Sequence, residues 1–170
     1  LHDRTYHMAM SDSLTQIGSR RRFEVEGRLL YENAQRSCHS VAALMVDIDH
    51  FKLIDDRYGH DTGDQILRPV AEACDSDLRG SDLLARYGGE EFVVVLPETN
   101  EQAVPFAAER IRSRVEEMTH PEIDGPVTVS IGAAAEVPRK ASGFEQLIKR
   151  ADHALYQAKE TGRNRVCQAQ

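Results

Sequence analysis

The chain has 170 residues, 41% hydrophobic and 29% charged, a composition that fits one globular domain with a sizeable core and excludes a disordered segment. Its formal charge of −7 excludes a general nucleic-acid binder, which needs a basic face to displace counterions from phosphates. Three cysteines, Cys38, Cys74 and Cys167, show no metal-ligand spacing, so neither a disulfide framework nor a zinc site is indicated.

No apolar run approaches the roughly eighteen residues that cross a bilayer, and no basic stretch followed by an apolar region marks a secretion signal. The reading is a cytoplasmic domain with no membrane contact of its own, whatever anchor the full-length protein carries. Residues 1–10 are polar with scattered apolar positions. They read either as a frayed terminus or as a linker helix arriving from an upstream regulatory domain.

Phe23, Gly27, Leu30 and Tyr31 recur about once per turn and predict a helix ending near Ser37. The short apolar run 41–46, ending in Asp47-Ile48-Asp49, predicts a buried strand with acids at its C-terminal end. Asp49-His50-Phe51-Lys52 leads straight into a helix start. After a glycine-containing loop, 63–78 reads as a helix, with Pro69 expected either to kink it or to lie in its first turn. Runs 83–87 and 92–96 flank Gly88-Gly89 and predict a β-hairpin, since both glycines accept positive φ.

Val104, Ala108, Ile111, Val115 and Met118 trace one helix face, with Thr99 and Gln102 as a candidate capping box and Pro105 blurring the first turn. Residues 127–135 alternate like a strand. Ser142 with Glu145 offers a second capping box, Leu147, Ala151, Leu155 and Ala158 mark the last helix, and Gly162 is placed to end it. A short strand at 165–167 closes the chain. The order predicts an α/β (α+β) domain with a mixed sheet; no repeat, low-complexity tract or linker divides it.

Asp47 and Asp49 at a strand end, with Glu90 and Glu91 just past the hairpin turn, can bring four carboxylates to one edge of the sheet. Such acids can hold Mg²⁺, which prefers a few carboxylates, several waters and phosphate oxygens. A metal there neutralises triphosphate charge, lowers the pKa of an attacking hydroxyl and stabilises charge at phosphorus. The alternative is a set of solvated surface acids. Lys52 and the free N–H groups of the following helix suit a phosphate. Lys159 and Arg163, four apart, share a face if the last helical turn persists and can grip phosphates together, or they simply complement the helix dipole.

Five motifs in order resemble the GGDEF family: Asp12-Ser13-Leu14-Thr15, Asp47 to Lys52, Gly59-His60 with Gly63-Asp64, Arg86-Tyr87-Gly88-Gly89-Glu90-Glu91-Phe92, and Ala158-Lys159 with Gly162-Arg163-Asn164. The resemblance spans nearly the whole chain, with the signature in its G-G-E-E-F form. It implies a fold related to nucleotidyl cyclases and polymerase palms, a central mixed five-stranded sheet wrapped by helices, over 11–170. The implied activity is diguanylate cyclase, which condenses two GTP into cyclic di-GMP and two pyrophosphates.

By similarity, Asp47 and Glu90 would bind Mg²⁺, or Mn²⁺ in its place, with the backbone carbonyl of Ile48. Glu91 would deprotonate or position the ribose 3′-hydroxyl. Lys52, Lys159 and Arg163 would hold phosphates, Asp64 would accept from the guanine edge, and Leu14 would pack near the base. Each protomer of such an enzyme holds one GTP, so an antiparallel homodimer is part of catalysis. Arg79-Gly80-Ser81-Asp82 matches the family's R-x-x-D inhibitory site for cyclic di-GMP, with Arg110 as a second arginine. The bland reading of R-x-x-D is an exposed turn with an ion pair.

The chain departs from the family at Asp55, where an Asn usually contacts guanine. A carboxylate only accepts, so a contact that needs donation is lost, at a cost on the order of 1–3 kcal/mol. Ile17 and Ser19 replace the usual Leu and Asn, which are milder changes. The competing class is a weak or inactive module that serves as a receptor for cyclic di-GMP or GTP. A purely structural dimerisation domain would not need Asp47, Glu90 and Lys159 in register.

Overall fold

The computed structural model describes residues 4, 5 and 9–170. The expected linker at 1–10 falls largely outside them; Arg4, Thr5, Ala9 and Met10 have helical backbone. One continuous helical segment follows, composed of Arg20–Arg22 (α1), a π-helical turn Phe23–Gly27 and Arg28–Ser37 (α2). The chain then runs through β1 (Val41–Ile48), α3 (Phe51–Tyr58), α4 (His60–Asp75), β2 (Leu83–Arg86), β3 (Glu91–Pro97), α5 (Val104–Glu116), β4 (Val129–Glu136), α6 (Phe144–Glu160) and β5 (Val166–Gln168).

These strands form one five-stranded mixed sheet in the order β2-β3-β1-β4-β5, antiparallel except for the parallel β4–β5 pair. β1 lies at its centre, and all eight of its residues are buried. The strand period of two sorts them between two cores. Ala42, Leu44, Val46 and Ile48 pack with residues of α4 and α5, such as Ile66, Val70, Ala108 and Ile111. Val41, Ala43 and Met45 pack with Tyr31 of α2 and with Leu147, Ala151 and Leu155 of α6. Helices on both faces are why the β1 sequence is an unbroken apolar run rather than an alternating one. Each fully buried large side chain contributes about 1.5–3 kcal/mol.

α6 crosses β4 at backbone distance. A Cβ placed on Gly132 would lie 2.0 Å from the Ala151 carbonyl oxygen and 2.2 Å from the Leu155 nitrogen, so glycine sets the helix–sheet spacing. That spacing brings the C-terminal end of α6 alongside the acidic end of β1.

Several local expectations differ from the structure. The stretch between β1 and residue 63 is mostly helical, with α3 and α4 separated only at Gly59, whose φ of +91° a side chain would resist. Pro69 lies inside α4, well past its first turn. Neither capping box forms. Thr99 donates to the Pro97 carbonyl and accepts from Arg79, while Asn100 Oδ1 caps the Ala103 N–H at 2.9 Å. Ser142 instead accepts from the Arg139 N–H, and Glu145 pairs with Arg28. The hairpin forms, but Gly88 and Gly89 are not among the positive-φ residues, so left-handed geometry is not what glycine supplies there.

Candidate active site

β1 delivers Asp47 and Ile48 to the sheet edge. In the register, Asp47 faces Glu91 of β3 on one side and Ser130 of β4 on the other, while Ile48 faces Val129. The β2–β3 turn places Glu90 beside β1, because the Ile48 N–H bonds to the Glu90 carbonyl at 3.2 Å. The turn itself is held by side chains. Arg86 donates to the carbonyls of Gly88 (3.3 Å) and Gly89 (2.8 Å), and also to Asp12 at 3.4 Å. Arg20 stacks 4.2 Å over the Tyr87 ring, and Phe23 meets that ring edge-on.

Lys159, in the last turn of α6, donates to Asp47 Oδ2. Asp47 is buried, and that burial holds its carboxyl above the usual range despite the Lys159 contact; Arg163 also acts on it, in the lowering direction. Glu90 and Glu91 are raised as well, first by burial and then by the Asp47 charge, with Lys159 opposing both. Three carboxylates thus crowd one edge and resist ionising together.

Asp49 does not join them. Its carboxylate accepts from Ser130 Oγ (2.6 Å), Thr128 Oγ1 (2.7 Å) and the Asn164 N–H (2.9 Å). It braces β4 and the turn after α6, and its charge still raises Asp47, so of the four acids expected to converge Asp49 is the one tied up in hydrogen bonds of its own.

Among the described residues no three His, Cys, Asp or Glu side chains make a ready cation cage. Asp47 and Glu90 lie near enough for the Asp47 charge to raise Glu90, an open set of carboxylate donors. That set fits a hard divalent cation that keeps waters and takes its remaining ligands from phosphate.

Lys52 is exposed in the first turn of α3, whose N-cap His50 is left-handed. Arg163 lies beyond α6, not on a continuing helical turn, so the shared helix face expected for Lys159 and Arg163 does not exist. The chain turns at Thr161-Gly162, with the Arg163 N–H bonded back to the Ala158 carbonyl at 2.9 Å, the long bond of a Schellman-type ending. Lys159 alone donates to Asp47, while the Arg163 charge also favours its ionised form.

Leu14 and Asp64 line one cleft with Gln65, Arg68, Pro69, Glu72 and Glu122, and Arg68 donates to the Leu14 carbonyl at 3.1 Å. Asp55, on α3, is half-buried. Its Oδ2 lies 3.1 Å from His60 Nδ1, while Oδ1 is buried without a hydrogen-bond partner. A Cβ on Gly63 would sit 2.0 Å from that oxygen, so glycine makes room for the Asp55 side chain.

Arg79 and Asp82 already satisfy each other. The Arg79 N–H and guanidinium donate to the Asp82 carboxylate at 2.8 Å and 3.1 Å, and the guanidinium also donates to Pro97 O and Thr99 Oγ1. Arg110 stands on α5 in a separate surface cavity with Asp77, Phe106 and Arg114. Sequence reasoning missed two contributors, Arg86 with its Asp12 anchor and the Asp49 brace, although the motif residues themselves were in view.

The family model "Diguanylate cyclase, GGDEF domain" matches residues 9–165, and the chain belongs to the GGDEF family. It is 44% identical over 160 residues to the uncharacterized protein YhcK of Bacillus subtilis, covering 92% of this chain and 44% of that one. It is 40% identical over 161 residues to diguanylate cyclase DosC of Escherichia coli, covering 94% and 35%. The chain therefore spans less than half the length of these curated relatives. Its fold is similar to the solved coiled coil and GGDEF domain of DgcB from Caulobacter crescentus in complex with c-di-GMP, with a TM-score of 0.92, 32% identity, and coverage of 99% and 90%. No helix among the described residues is long and apolar enough to cross a membrane.

Proposed function

We propose that residues 11–170 form a diguanylate cyclase domain, placed after an upstream regulatory domain, that condenses two GTP into cyclic di-GMP and two pyrophosphates. The observation that carries this reading is the grouping of Asp47, Glu90 and Glu91 around Lys159, with the Arg163 charge also acting on Asp47; Leu14 and Asp64 line a cleft of their own. The name of the relative DosC and the bound ligand of the DgcB structure point the same way.

Asp47, Glu90 and the Ile48 carbonyl would hold Mg²⁺ or Mn²⁺, which supplies Lewis-acid stabilisation of the phosphates and of the attacking oxygen. Asp64 accepts from the guanine ring N–H and amine while Leu14 covers the base. Lys159, which donates to Asp47, would hold a phosphate together with Arg163 and Lys52. Glu91 takes the proton of the ribose 3′-hydroxyl, and its raised pKa makes it a better base than an exposed glutamate. The 3′-oxygen forms a bond to the α-phosphorus of the GTP on the partner protomer; the bond from that phosphorus to the β-phosphate oxygen breaks, and pyrophosphate leaves. Two such transfers in an antiparallel homodimer close the ring. Product would bind at Arg79 and Asp82, with Arg110 as the second arginine, replacing the internal ion pair.

A second reading, a receptor for GTP or cyclic di-GMP, is favoured by one observation, the unpartnered carboxylate oxygen of Asp55. Product chromatography after incubating the concentrated domain with Mg²⁺ and GTP, ATP or both separates the two. The cyclase reading expects cyclic di-GMP from GTP alone, and a fall of about 10²–10⁴ in rate for Glu91→Gln with nucleotide binding retained. No product at high protein concentration, with cyclic di-GMP still bound, moves the function to the receptor.

A further inference from the structure

After α6 the chain, with Arg163 in the turn, must reverse into β5 within a few residues. It does so through consecutive positive-φ residues: Gly162 at +131°, Arg163 at +63° and Asn164 at +44°. Glycine takes such a backbone freely, whereas side-chain-bearing residues keep it only where their surroundings over-determine it.

The constraint is concentrated on Asn164. Its N–H donates to Asp49 Oδ2 at 2.9 Å, its side-chain Oδ1 accepts from Arg112 Nη1 at 2.8 Å, and its Nδ2 donates to Glu116. One residue is thereby tied to the end of β1 and twice to α5. The anchors are themselves fixed. Arg112 is mostly buried and forks onto Glu109 at 2.9 Å and 3.0 Å, while Asp49 is clamped by Thr128 and Ser130. Lys159 has no such dependence, because α6 itself places it.

We propose that Asn164, held by Arg112, is the positioning residue that fixes the left-handed turn and aims Arg163 at the terminal phosphates of the bound nucleotide. This rests on the assignment of Arg163 to phosphate in the cyclase reading. A misplaced Arg163 weakens the hold on the β- and γ-phosphates and leaves the base cleft at Leu14 and Asp64 untouched.

The test is calorimetric titration, with Mg²⁺ present, of α,β-methylene GTP and of GMP into the wild type, Asn164→Ala, Asn164→Gly, Arg163→Ala and the Asn164→Ala/Arg163→Ala pair. Asn164→Gly accepts the left-handed backbone and keeps the Asp49 bond, so it stays folded while losing the α5 ties. Both Asn164 variants are expected to bind the triphosphate analogue about tenfold more weakly and GMP within about twofold of the wild type, the size of a lost charge-assisted hydrogen bond. Asn164→Ala is expected to add nothing in the Arg163→Ala background, and Arg112→Met to reproduce the single loss. Equal losses for analogue and GMP, or the same factor with Arg163 removed, would overturn the proposal. Coupling between positions 164 and 163 in a domain that makes no cyclic di-GMP removes the cyclase assignment alone; cyclic di-GMP synthesis without that coupling removes the positioning role alone.

Discussion

Lys159 donates to Asp47 across 112 residues of sequence, so a cation sits against the most buried of the three acids Asp47, Glu90 and Glu91. The two partners are not equally exposed: the Lys159 side chain keeps 30% of its surface in water and that of Asp47 only 6%. Removing Lys159 leaves a buried carboxylate unpaired, whereas removing the Asp47 charge leaves an ammonium that solvent can reach. Lys159→Met is therefore expected to destabilise the metal-free domain by about 1–3 kcal/mol and Asp47→Asn by less than about 1 kcal/mol, with partial exposure reducing the cost of a fully buried pair. Urea denaturation at neutral pH without divalent cations measures the difference; equal costs would show that the pair does not govern the stability of this edge.

Stability against pH should carry the mark of the same cluster. Asp47, Glu90 and Glu91 all have folded-state pKa values raised above their ordinary ones, burial being the first cause in each case. Acids raised in the folded state contribute stability that is full below the unfolded pKa and is lost as pH rises through the folded value. The metal-free domain is expected to lose stability from these groups as pH climbs out of the carboxylate range toward neutrality. Glu90→Gln should flatten that slope and stabilise by about 1 kcal/mol or less, since Glu90 is only half-buried and solvent screens it. Melting curves between mildly acid and neutral pH read both effects, and an unchanged slope in the variant would remove Glu90 from the cluster.

Asp12 behaves in the opposite sense. Burial raises its pKa, but the Thr15 hydroxyl at 2.6 Å, the Thr15 N–H at 2.9 Å and the Arg86 guanidinium together outweigh burial and hold it below the ordinary value. Its contribution is present above the unfolded pKa and is lost as pH falls through the lower folded one. Asp12→Ala is expected to cost about 1–2 kcal/mol and to loosen Arg86, which spans the signature turn. Hydrogen exchange of the turn amides of Tyr87 and Gly88 should quicken in the variant beyond the change in global stability.

Asp55 is expected to respond to the smallest of changes. Its buried Oδ1 has no partner and its Oδ2 meets His60. Asn at 55 keeps the shape, removes a buried charge and adds a donor that guanine can use. Asp55→Asn is expected to tighten GTP binding by about tenfold, the value of one recovered hydrogen bond. Equal affinities in a titration of the two proteins would show that position 55 does not read the base.

How much of the fold and site is legible in the sequence differs element by element. The β1 strand is readable because a short unbroken apolar run ending in acids is what a strand covered on both faces requires, and α6 because its apolar residues keep helical spacing over four turns. The shared face of Lys159 and Arg163, expected if the last helical turn persists, does not form, because the helix stops at Glu160 and Arg163 follows in a left-handed turn. The capping boxes fail because the hydroxyls of Thr99 and Ser142 find closer partners in their own loops.

The sequence by itself determined the elements, the two-faced burial of the central strand and the set of acids and cations available to the site, because each of these is written in residue type and spacing along a few turns of chain. Only the tertiary structure decided that Asp49 braces Asn164 while Asp47 faces Lys159, and that Asp12 anchors the signature turn. Those choices depend on sheet order and helix crossing, which place partners 74, 112 and 115 residues apart within hydrogen-bonding distance, and no local pattern carries that information.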